Sequence, residues 1–386
     1  MTIVFFSNVL NNHQVALCDE LYRLHNGNFY FVETSQLNAA RKAMGFKQFE
    51  RPYLIQTTLS EEYKRKAELL AITADVAIMG AESYPYLRLR INNSNGVTFS
   101  CSERWLKKGI KNILSRTILR QFILYLTKGY NRRWYMLGSS AYQANDMRQL
   151  KIFKNRVFKW GYFPKYPDSE IPLQNNYCKV RILWVASLIP LKHPEMIINL
   201  AEMLLKNNKD FEITMIGDGE MAQKIKMMRD RIPELTNRVI MKGYIPNKDV
   251  LEEMSRNDIF CFTSNRLEGW GAVLGEAMAC GCCPVSSADT GATPFLIRHG
   301  KNGVIFKTGN IQDLYEKVVY LIDNPIERRK MADAARETML KEWNAERAAR
   351  EFLSLAKMKL SDGEAMPLES TLPASPAHPV QLHKTI

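Results

Sequence analysis

The chain has 386 residues, 46% of them hydrophobic, which is enough for about two domains with substantial cores. Its 53 lysines and arginines exceed its 40 acidic residues, and the net charge of +13 favours an anionic partner such as a nucleotide, a phospholipid, a lipid-linked phosphate or a nucleic acid. No apolar run of about 18 residues occurs, so no membrane-spanning helix is expected. Seven cysteines without regular spacing argue for reduced thiols in the cytoplasm rather than a disulfide framework.

Short apolar strands alternate with helical stretches through the first half of the chain. The opening TIVFFS (2–7) predicts a strand, with no basic leader before it, and HQVALCDELYRLH is typical of a helix. Further strands are predicted at NFYFVET, DVAIMGA (75–81) and VTFSC (97–101). This alternation predicts a parallel, doubly wound sheet.

A polar, proline-bearing stretch from Phe163 to Lys179 interrupts the pattern, and a second series of strands and helices begins at Val180. We therefore expect an α/β chain of two Rossmann-like, doubly wound domains. Open parallel sheets bind ligands at the carboxyl ends of their strands. The active site is accordingly expected in a central cleft that both domains face.

The pattern divides the chain into five predicted segments. They are a first domain (1–165), a linker (166–179), a second domain (180–342), a helix returning to the first domain (343–360) and a tail (361–386). The tail is expected to be disordered, because it contains four prolines and no periodic apolar face.

The stretch RLEGWGAVLGEAMACG (266–281) carries the clearest functional pattern. Glu268 and Glu276 stand eight positions apart around the turn Gly269-Trp270-Gly271. A strand is predicted before the turn and a helix after it, so the helix start would present free N–H groups and a positive dipole to an anion. A carboxylate deeper in that helix can accept two hydroxyl hydrogen bonds from a ribose. The pattern predicts a site for a nucleoside diphosphate that carries a sugar.

This segment resembles the E-x-x-x-x-x-x-x-E signature of the retaining, family-4 type glycosyltransferases with the GT-B fold. The resemblance, which covers about Val180 to Asn324, implies transfer of a sugar from a nucleotide-diphosphate sugar to an acceptor hydroxyl, without a cofactor or a metal. It also implies that Glu276 holds the ribose and that Glu268 contacts the transferred sugar. Gly269 is also expected at the nucleotide-sugar site. The backbone amides that would hold sugar hydroxyls and the distal phosphate are those of Trp270, Gly271, Ala272 and Val273.

A second motif, SLIPLKHPE (187–195), resembles the family's G-R-L-x-x-x-K-G. Lys192 matches the lysine, which can neutralise a leaving diphosphate. Ser187 stands where the family has an arginine. Part of the usual cationic clamp is therefore absent or supplied from elsewhere, for instance from the basic first domain.

Other parts of the second domain give weaker indications. TGATPFLIRHGKNGVIF (290–306) resembles the family's G-G-x-P-E-x-I, but Phe295 replaces the glutamate, so no carboxylate role is carried to that position. Tyr244, at the end of a predicted strand, is expected to border the nucleobase. The fragment IGDGE holds a bare G-x-G, and neither domain begins with G-x-G-x-x-G, which argues against an NAD enzyme.

Two residues of the first domain follow predicted strands and are expected to face the active site. His13 lies in the loop after the first strand, where the family places a loop toward the acceptor and the diphosphate. Glu103 follows VTFSC and is expected to touch the donor sugar or the acceptor.

The segment from Arg104 to Asn145 contains no acidic residue. Apolar residues alternate there with nine bases: Arg104, Lys107, Lys108, Lys111, Arg116, Arg120, Lys128, Arg132 and Arg133. A basic amphipathic helix of this kind suits an anionic membrane surface, although most amphipathic stripes face their own core. No nucleic-acid-binding motif accompanies it.

Cys280, Cys282 and Cys283 have poor spacing for zinc, and no metal site is expected. The resemblance implies a metal-independent, retaining transferase of surface-polysaccharide or lipopolysaccharide assembly. Its partners would be a UDP- or GDP-linked sugar and a saccharide or lipid-linked acceptor, at the cytoplasmic face of the inner membrane. Two alternatives remain: a GT-B nucleotide-sugar epimerase, and a non-catalytic basic protein that binds membrane or nucleic acid.

Overall fold

The structure is a computed structural model that describes residues 1–37, 48–167, 179–361 and 371–380. The described residues form two compact units, one from Met1–Lys165 with Glu342–Val380 and one from Tyr166–Lys341. Most of the predicted linker, residues 168–178, lies outside the described residues.

The first unit is built on a seven-stranded sheet in which every pair of neighbouring strands is parallel. Its strands are β1 (Ile3–Ser7), β2 (Phe29–Glu33), β3 (Leu54–Gln56), β4 (Val76–Met79), β5 (Val97–Ser102), β6 (Trp134–Gly138) and β7 (Val157–Lys159). The spatial order is β3-β2-β1-β4-β5-β6-β7. All residues of β1 and β4 are buried, as expected for central strands that helices cover on both faces.

Helices connect these strands, and local sequence explains where they begin. Ser60, for example, caps the second helix by accepting a hydrogen bond from the N–H of Tyr63 at 3.1 Å. The helices of this unit are α1 (Val15–Leu24), α2 (Glu61–Thr73), α3 (Tyr84–Asn93), α4 (Arg116–Leu124) and α5 (Gln143–Gln149). A 3₁₀ turn (Ile110–Leu114) precedes α4, and a π turn (Tyr125–Gly129) follows it.

The second unit repeats this architecture with a six-stranded parallel sheet. Its strands are β8 (Val180–Val185), β9 (Phe211–Ile216), β10 (Val239–Met241), β11 (Ile259–Phe262), β12 (Cys283–Ser287) and β13 (Val304–Phe306). The order is β10-β9-β8-β11-β12-β13, so the direction of winding reverses between β8 and β11. Both sheets therefore have the doubly wound, Rossmann-like topology that the sequence predicts, and that prediction is confirmed.

The helices of the second unit cover both faces of its sheet. They are α6 (Glu195–Lys206), α7 (Ala222–Asp230), α8 (Pro233–Thr236), α9 (Asn247–Arg256), α10 (Ala272–Ala279), α11 (Thr293–Leu296), α12 (Ile311–Asp323) and α13 (Pro325–Glu337). A 3₁₀ turn (Pro190–Lys192) precedes α6, and a π turn (Thr338–Glu342) follows α13.

The chain then returns to the first unit. Helix α14 (Ala345–Ser361) packs on α1, and the ring of its Phe352 meets that of Phe99 in β5 with centroids 5.3 Å apart.

The structure differs from the expected disordered tail at residues 371–380. Ala374 and Ser375 are completely buried. The N–H of Lys159, in β7, donates to the carbonyl of Ser375 at 2.8 Å, and the N–H of Ala374 donates back to the carbonyl of Lys159 at 2.7 Å. Small side chains allow this segment to lie close to β7, whose open edge supplies the backbone groups that it needs. Composition alone therefore gave the wrong expectation for these ten residues.

Within the described ranges, no helix combines the length and the apolar content needed to cross a lipid bilayer.

Arg90, in α3, is fully buried and holds several chain segments together. Its guanidinium donates to the carbonyls of Ala71, Ala74 and Val97, each at 2.9 Å. It also donates to Thr98 Oγ1 at 2.8 Å. A planar group with five N–H donors can satisfy this set of acceptors.

We predict that Arg90→Ala lowers the free energy of unfolding by about 3 kcal/mol or more, because it leaves several buried carbonyl groups without donors. Urea denaturation measures the change. Arg88→Ala is the matched control, since Arg88 is exposed on the same helix. A loss no larger in the Arg90 variant than in the Arg88 variant would contradict this role.

Candidate functional site

The predicted donor residues lie in loops at the carboxyl edge of the second sheet. One loop leaves β8 and contains Ser187 and Lys192, and the other leaves β11 and contains Glu268. Because β8 and β11 are paired neighbours, the two loops lie side by side. This is the reversal point of the strand order, where doubly wound sheets bind ligands.

Lys192 and Glu268 form an ion pair, with Lys192 Nζ donating to Glu268 Oε2. The two side chains are 17% and 13% exposed, so little water screens the pair. The carbonyl of Lys192 accepts a hydrogen bond from Thr263 Oγ1 at 2.6 Å. Trp184 Nε1 in turn donates to that hydroxyl at 2.9 Å. The backbone position of Lys192 is therefore fixed from the core of the sheet.

The glycine turn before α10 has a steric cause. Gly271 adopts φ +91°, and a Cβ added there would lie 2.3 Å from Cζ of Phe262. Only glycine fits this close approach. The N-cap residue of α10 is Gly271, which has no side chain to cap the helix. The first-turn N–H groups, at Ala272 and Val273, have no intrahelical acceptor.

Trp270 is 2% exposed and anchors the glycine turn in the protein core. Its carbonyl accepts from the N–H of Ala292 at 3.1 Å, and its ring lies 6.3 Å from that of Phe295. Phe295, which stands where the resembled family has a glutamate, thus packs beside the turn.

Glu276 projects from α10 and is partly buried. Its carboxylate accepts no hydrogen bond from any residue of the described ranges, and burial raises its pKa to about 7. Burial and the Glu276 charge also raise the pKa of Tyr166, which is 7% exposed. A desolvated carboxylate without a partner is suited to receive donors from a ligand.

The loops after β9 and β10 reach the same edge. Gly217 adopts φ +132°, and a Cβ there would lie 1.9 Å from the carbonyl oxygen of Ala186, so this loop touches the one that carries Ser187. The bare G-x-G of the sequence therefore has a packing role. Gly243 accepts from the N–H of Gly217 at 2.8 Å, and the following Tyr244 is 65% exposed.

In the first unit, Tyr162 brings His13 and Glu103 together. Its hydroxyl donates to Glu103 Oε1 at 2.8 Å, and its ring stacks on that of His13 with centroids 5.5 Å apart. Glu103 also pairs with Lys107. Burial lowers the pKa of His13, and its buried Nδ1 has no hydrogen-bond partner in the described part of the chain. Sequence reasoning missed Tyr162, because nothing in its local pattern marks it.

The basic segment after Glu103 divides into a buried part and an exposed part. Arg104 binds Asp146, which is buried, and Trp105 is in the core. Further along, exposed apolar and basic side chains share the surface. They are Ile110, Leu114, Ile123, Leu126 and Tyr130, with Lys108, Lys111, Arg116, Arg120 and Lys128. Among the residues that the structure places, none forms an ion pair with these five bases.

The described residues contain no group of three or more histidine, cysteine or acidic side chains arranged to hold a metal ion. The thiol of Cys282 is buried and donates to the carbonyl of Met254 at 3.0 Å. Burial raises the pKa values of Cys280, Cys282 and Cys283. These cysteines are core residues.

Comparison with known proteins agrees with this geometry. Residues 172–338 match the family described as glycosyl transferases group 1. The matched residues include Lys192, Glu268 and Glu276, and the match agrees with the glycosyltransferase resemblance of the sequence.

One curated relative is the poly(ribitol-phosphate) alpha-N-acetylglucosaminyltransferase of Staphylococcus aureus. It is 27% identical over 175 residues, which is 44% of this chain and 34% of that enzyme. The match therefore spans about a third of the relative's length.

Two solved structures resemble almost the whole chain. The lipopolysaccharide outer core galactosyltransferase WaaB, in its apo form, has a TM-score of 0.67 and 16% identity, over 94% of this chain and 99% of that one. The Anabaena protein HepE, in complex with UDP-glucose, has a TM-score of 0.61 and 16% identity, over 92% and 99%. These likenesses establish the fold, which is GT-B, as the sequence resemblance implied.

We predict that nucleoside diphosphate binding strengthens about tenfold between pH 6 and pH 8. The free carboxyl of Glu276, with its pKa raised to about 7, is mostly protonated at pH 6 and mostly ionised at pH 8. Ribose hydroxyls donate to the ionised form, so a ligand held there binds better as the pH rises. Calorimetric titration with UDP and GDP measures the dependence.

Glu276→Gln is the control, since it cannot ionise and leaves only the titration of the ligand's own phosphate. Equal pH dependence in the wild type and the variant would contradict the placement of the ribose at Glu276.

Proposed function

We propose that this chain is a retaining glycosyltransferase that moves a sugar from a nucleotide-diphosphate sugar to an acceptor hydroxyl. The observation that carries the proposal is the Lys192–Glu268 pair beside the start of α10, with Glu276 in the same helix partly buried and without a hydrogen-bond partner among the described residues. The UDP-glucose complex of the similarly folded Anabaena protein supports a nucleotide-sugar donor. The relative from Staphylococcus aureus is named for sugar transfer. These comparisons give no support to the epimerase or the non-catalytic alternative.

Each part of the nucleotide-sugar donor has a matching group in this site. Glu276 accepts hydrogen bonds from the ribose hydroxyls, and Tyr244 borders the base, near Ser187. Glu268 and the backbone of 269–273 hold the hydroxyls of the transferred sugar. Lys192 faces the diphosphate, and the amides at the start of α10 add their dipole to the same charge.

We propose a front-face substitution. The bond between the anomeric carbon and the diphosphate oxygen breaks while the acceptor oxygen bonds to the same face of the sugar. The proton of the acceptor hydroxyl passes to the departing phosphate oxygen. Lys192 and the helix amides stabilise the negative charge on the leaving diphosphate, which is the role a metal ion has elsewhere. We propose that the reaction needs no metal or other cofactor.

The acceptor side of the reaction is assigned to the first unit. Burial lowers the pKa of the partly buried His13, which favours its neutral form. Tyr162 joins His13 and Glu103, so the three side chains offer a sugar or a lipid-linked acceptor both an aromatic surface and hydrogen-bonding groups. The proposed setting is surface-polysaccharide, capsule or lipopolysaccharide assembly at the cytoplasmic face of the inner membrane. The exposed apolar and basic side chains of residues 108–130 support contact with anionic lipid.

We predict that Lys192→Ala lowers kcat about 100-fold or more, because it removes the cation opposite the leaving diphosphate. Glu276→Ala should raise the donor KM about tenfold or more, because two hydrogen bonds to a charged group are lost. Release of UDP or GDP from a panel of nucleotide sugars, with and without acceptor, measures both effects. Addition of a chelator tests the metal independence.

Lys206→Ala and Glu252→Ala are the matched controls. They remove the same side-chain types from exposed positions of the same unit, 69% and 54% exposed. Near-normal transfer by both the Lys192 and the Glu276 variants, with unchanged melting temperatures, would refute the site assignment.

For the membrane surface, we predict that the protein binds vesicles containing phosphatidylglycerol and binds phosphatidylcholine vesicles far more weakly. Lys108→Glu with Lys111→Glu should weaken binding more than tenfold, since each base near an anionic surface contributes about 1 kcal/mol. Leu114→Ser with Leu126→Ser should also weaken it, through lost insertion. Ile326→Ser, 69% exposed in the other unit, is the control. Vesicle co-sedimentation that is insensitive to both double substitutions would exclude this surface.

A further inference from the structure

Lys192 is followed by a histidine in a conformation that histidine seldom adopts. His193 has φ 50° and ψ 52°, in the left-handed region. The motif that this segment resembles has glycine after its lysine, and glycine reaches that region without a steric clash. The contacts of the His193 ring are therefore of interest.

Both ring nitrogens of His193 are engaged. Nδ1 lies 2.8 Å from Glu195 Oε1, at the start of α6. Nε2 lies 3.0 Å from Asn265 Nδ2, in the loop after β11. The ring therefore bridges the loop of Lys192 and the loop of Glu268.

The hydrogen bonds of Asn265 define the protonation state of this ring. Asn265 Oδ1 accepts from the N–H of Leu267 at 3.0 Å, so the amide nitrogen is the end that faces His193. An amide nitrogen only donates, hence Nε2 accepts and carries no proton. The proton of the neutral ring is on Nδ1, which donates to Glu195.

Asn265 also links the two loops through its backbone. Its N–H donates to the carbonyl of Leu191, and its carbonyl accepts from the N–H of Glu268, both at 2.9 Å. The residue that His193 binds thus holds the residue before Lys192 on one side and Glu268 itself on the other.

We infer that His193 is a positioning residue, which as a neutral ring holds Lys192 and Glu268 in the relative placement that the donor site needs. Its effect on catalysis rests on the proposed sugar transfer, but its effect on the two loops does not. Protonation of Nε2 would set an N–H against the N–H of Asn265 and break the bridge. The charged groups around the ring are Glu195, on α6, and the Lys192–Glu268 pair. The charge of Lys224, on α7, helps to lower the pKa of Glu195.

Three substitutions separate the functions of the ring. His193→Gln places an amide oxygen near the position of Nε2, so it can still accept from Asn265 but cannot take up a proton. His193→Asn tolerates the left-handed backbone and can reach only Glu195. His193→Gly relieves the backbone conformation and removes both contacts.

The first measurement is amide hydrogen exchange at Leu267 and Glu268, which requires no substrate. We expect exchange protection to fall tenfold or more in the Gly and Asn variants and to stay near the wild-type level in the Gln variant. Nitrogen-15 spectra of labelled histidine should report the Nδ1–H tautomer at neutral pH.

The second measurement is transfer with a nucleotide sugar. We expect kcat to fall about tenfold in the Gly and Asn variants while the donor KM changes less than threefold, and the Gln variant to recover most of kcat. Unchanged protection in the Gly variant, or an Nε2–H tautomer, would overturn the role of His193 whatever the activity. Altered protection in a protein that transfers no sugar would leave that role intact and reject the proposed function.

Discussion

The pairing of β8 with β11 is the constraint on which the candidate site depends. Ile182 and Leu183 register with Ile259 and Phe260, and the strand order reverses at this pair. The connections that follow the two strands therefore turn toward opposite faces of the sheet, which opens a crevice between adjacent loops at its carboxyl edge. Lys192 and Glu268 are 76 positions apart in sequence. The pairing of two buried hydrophobic strands brings these two residues together.

The two acidic residues of the motif have opposite electrostatic environments. Glu268 forms an ion pair with Lys192, whereas Glu276 has no ion pair with any residue that the structure places, and burial raises its pKa to about 7. In the folded protein, an ionised Glu276 is therefore a cost, and its contribution to stability falls as the pH rises from the ordinary range of a glutamate through about 7. A ligand that donates hydrogen bonds to this carboxylate would reduce that cost. Relief of this unfavourable burial would therefore contribute to the free energy of ligand binding.

Sequence patterns predicted most of the fold because hydrophobic periodicity is a local signal. The run IVFFS of β1 is recognisable as a strand, and the stretch EMIINLAEMLLK of α6 as a helix, from their own residues alone. β3, with three residues, has no such signal. The motif likewise singled out Glu268, Glu276 and Lys192 as candidates, whereas Tyr162 and His193 are distinguished only by contacts with residues distant in the sequence. Such contacts exist only in the folded chain, which is also why composition failed for residues 371–380.

The segment that lies along β7 has a consequence for how the molecule behaves in solution. An uncovered edge strand offers its N–H and C=O groups to any extended chain, and so acts as a template for aggregation. Here Ala374, Ser375 and Ala377 occupy those groups, and prolines at 373, 376 and 379 cannot extend the pairing to a further strand. The ten residues thus terminate the sheet. A shortened chain that lacked them would keep the residues of the candidate site but expose the edge of β7, and we expect it to self-associate.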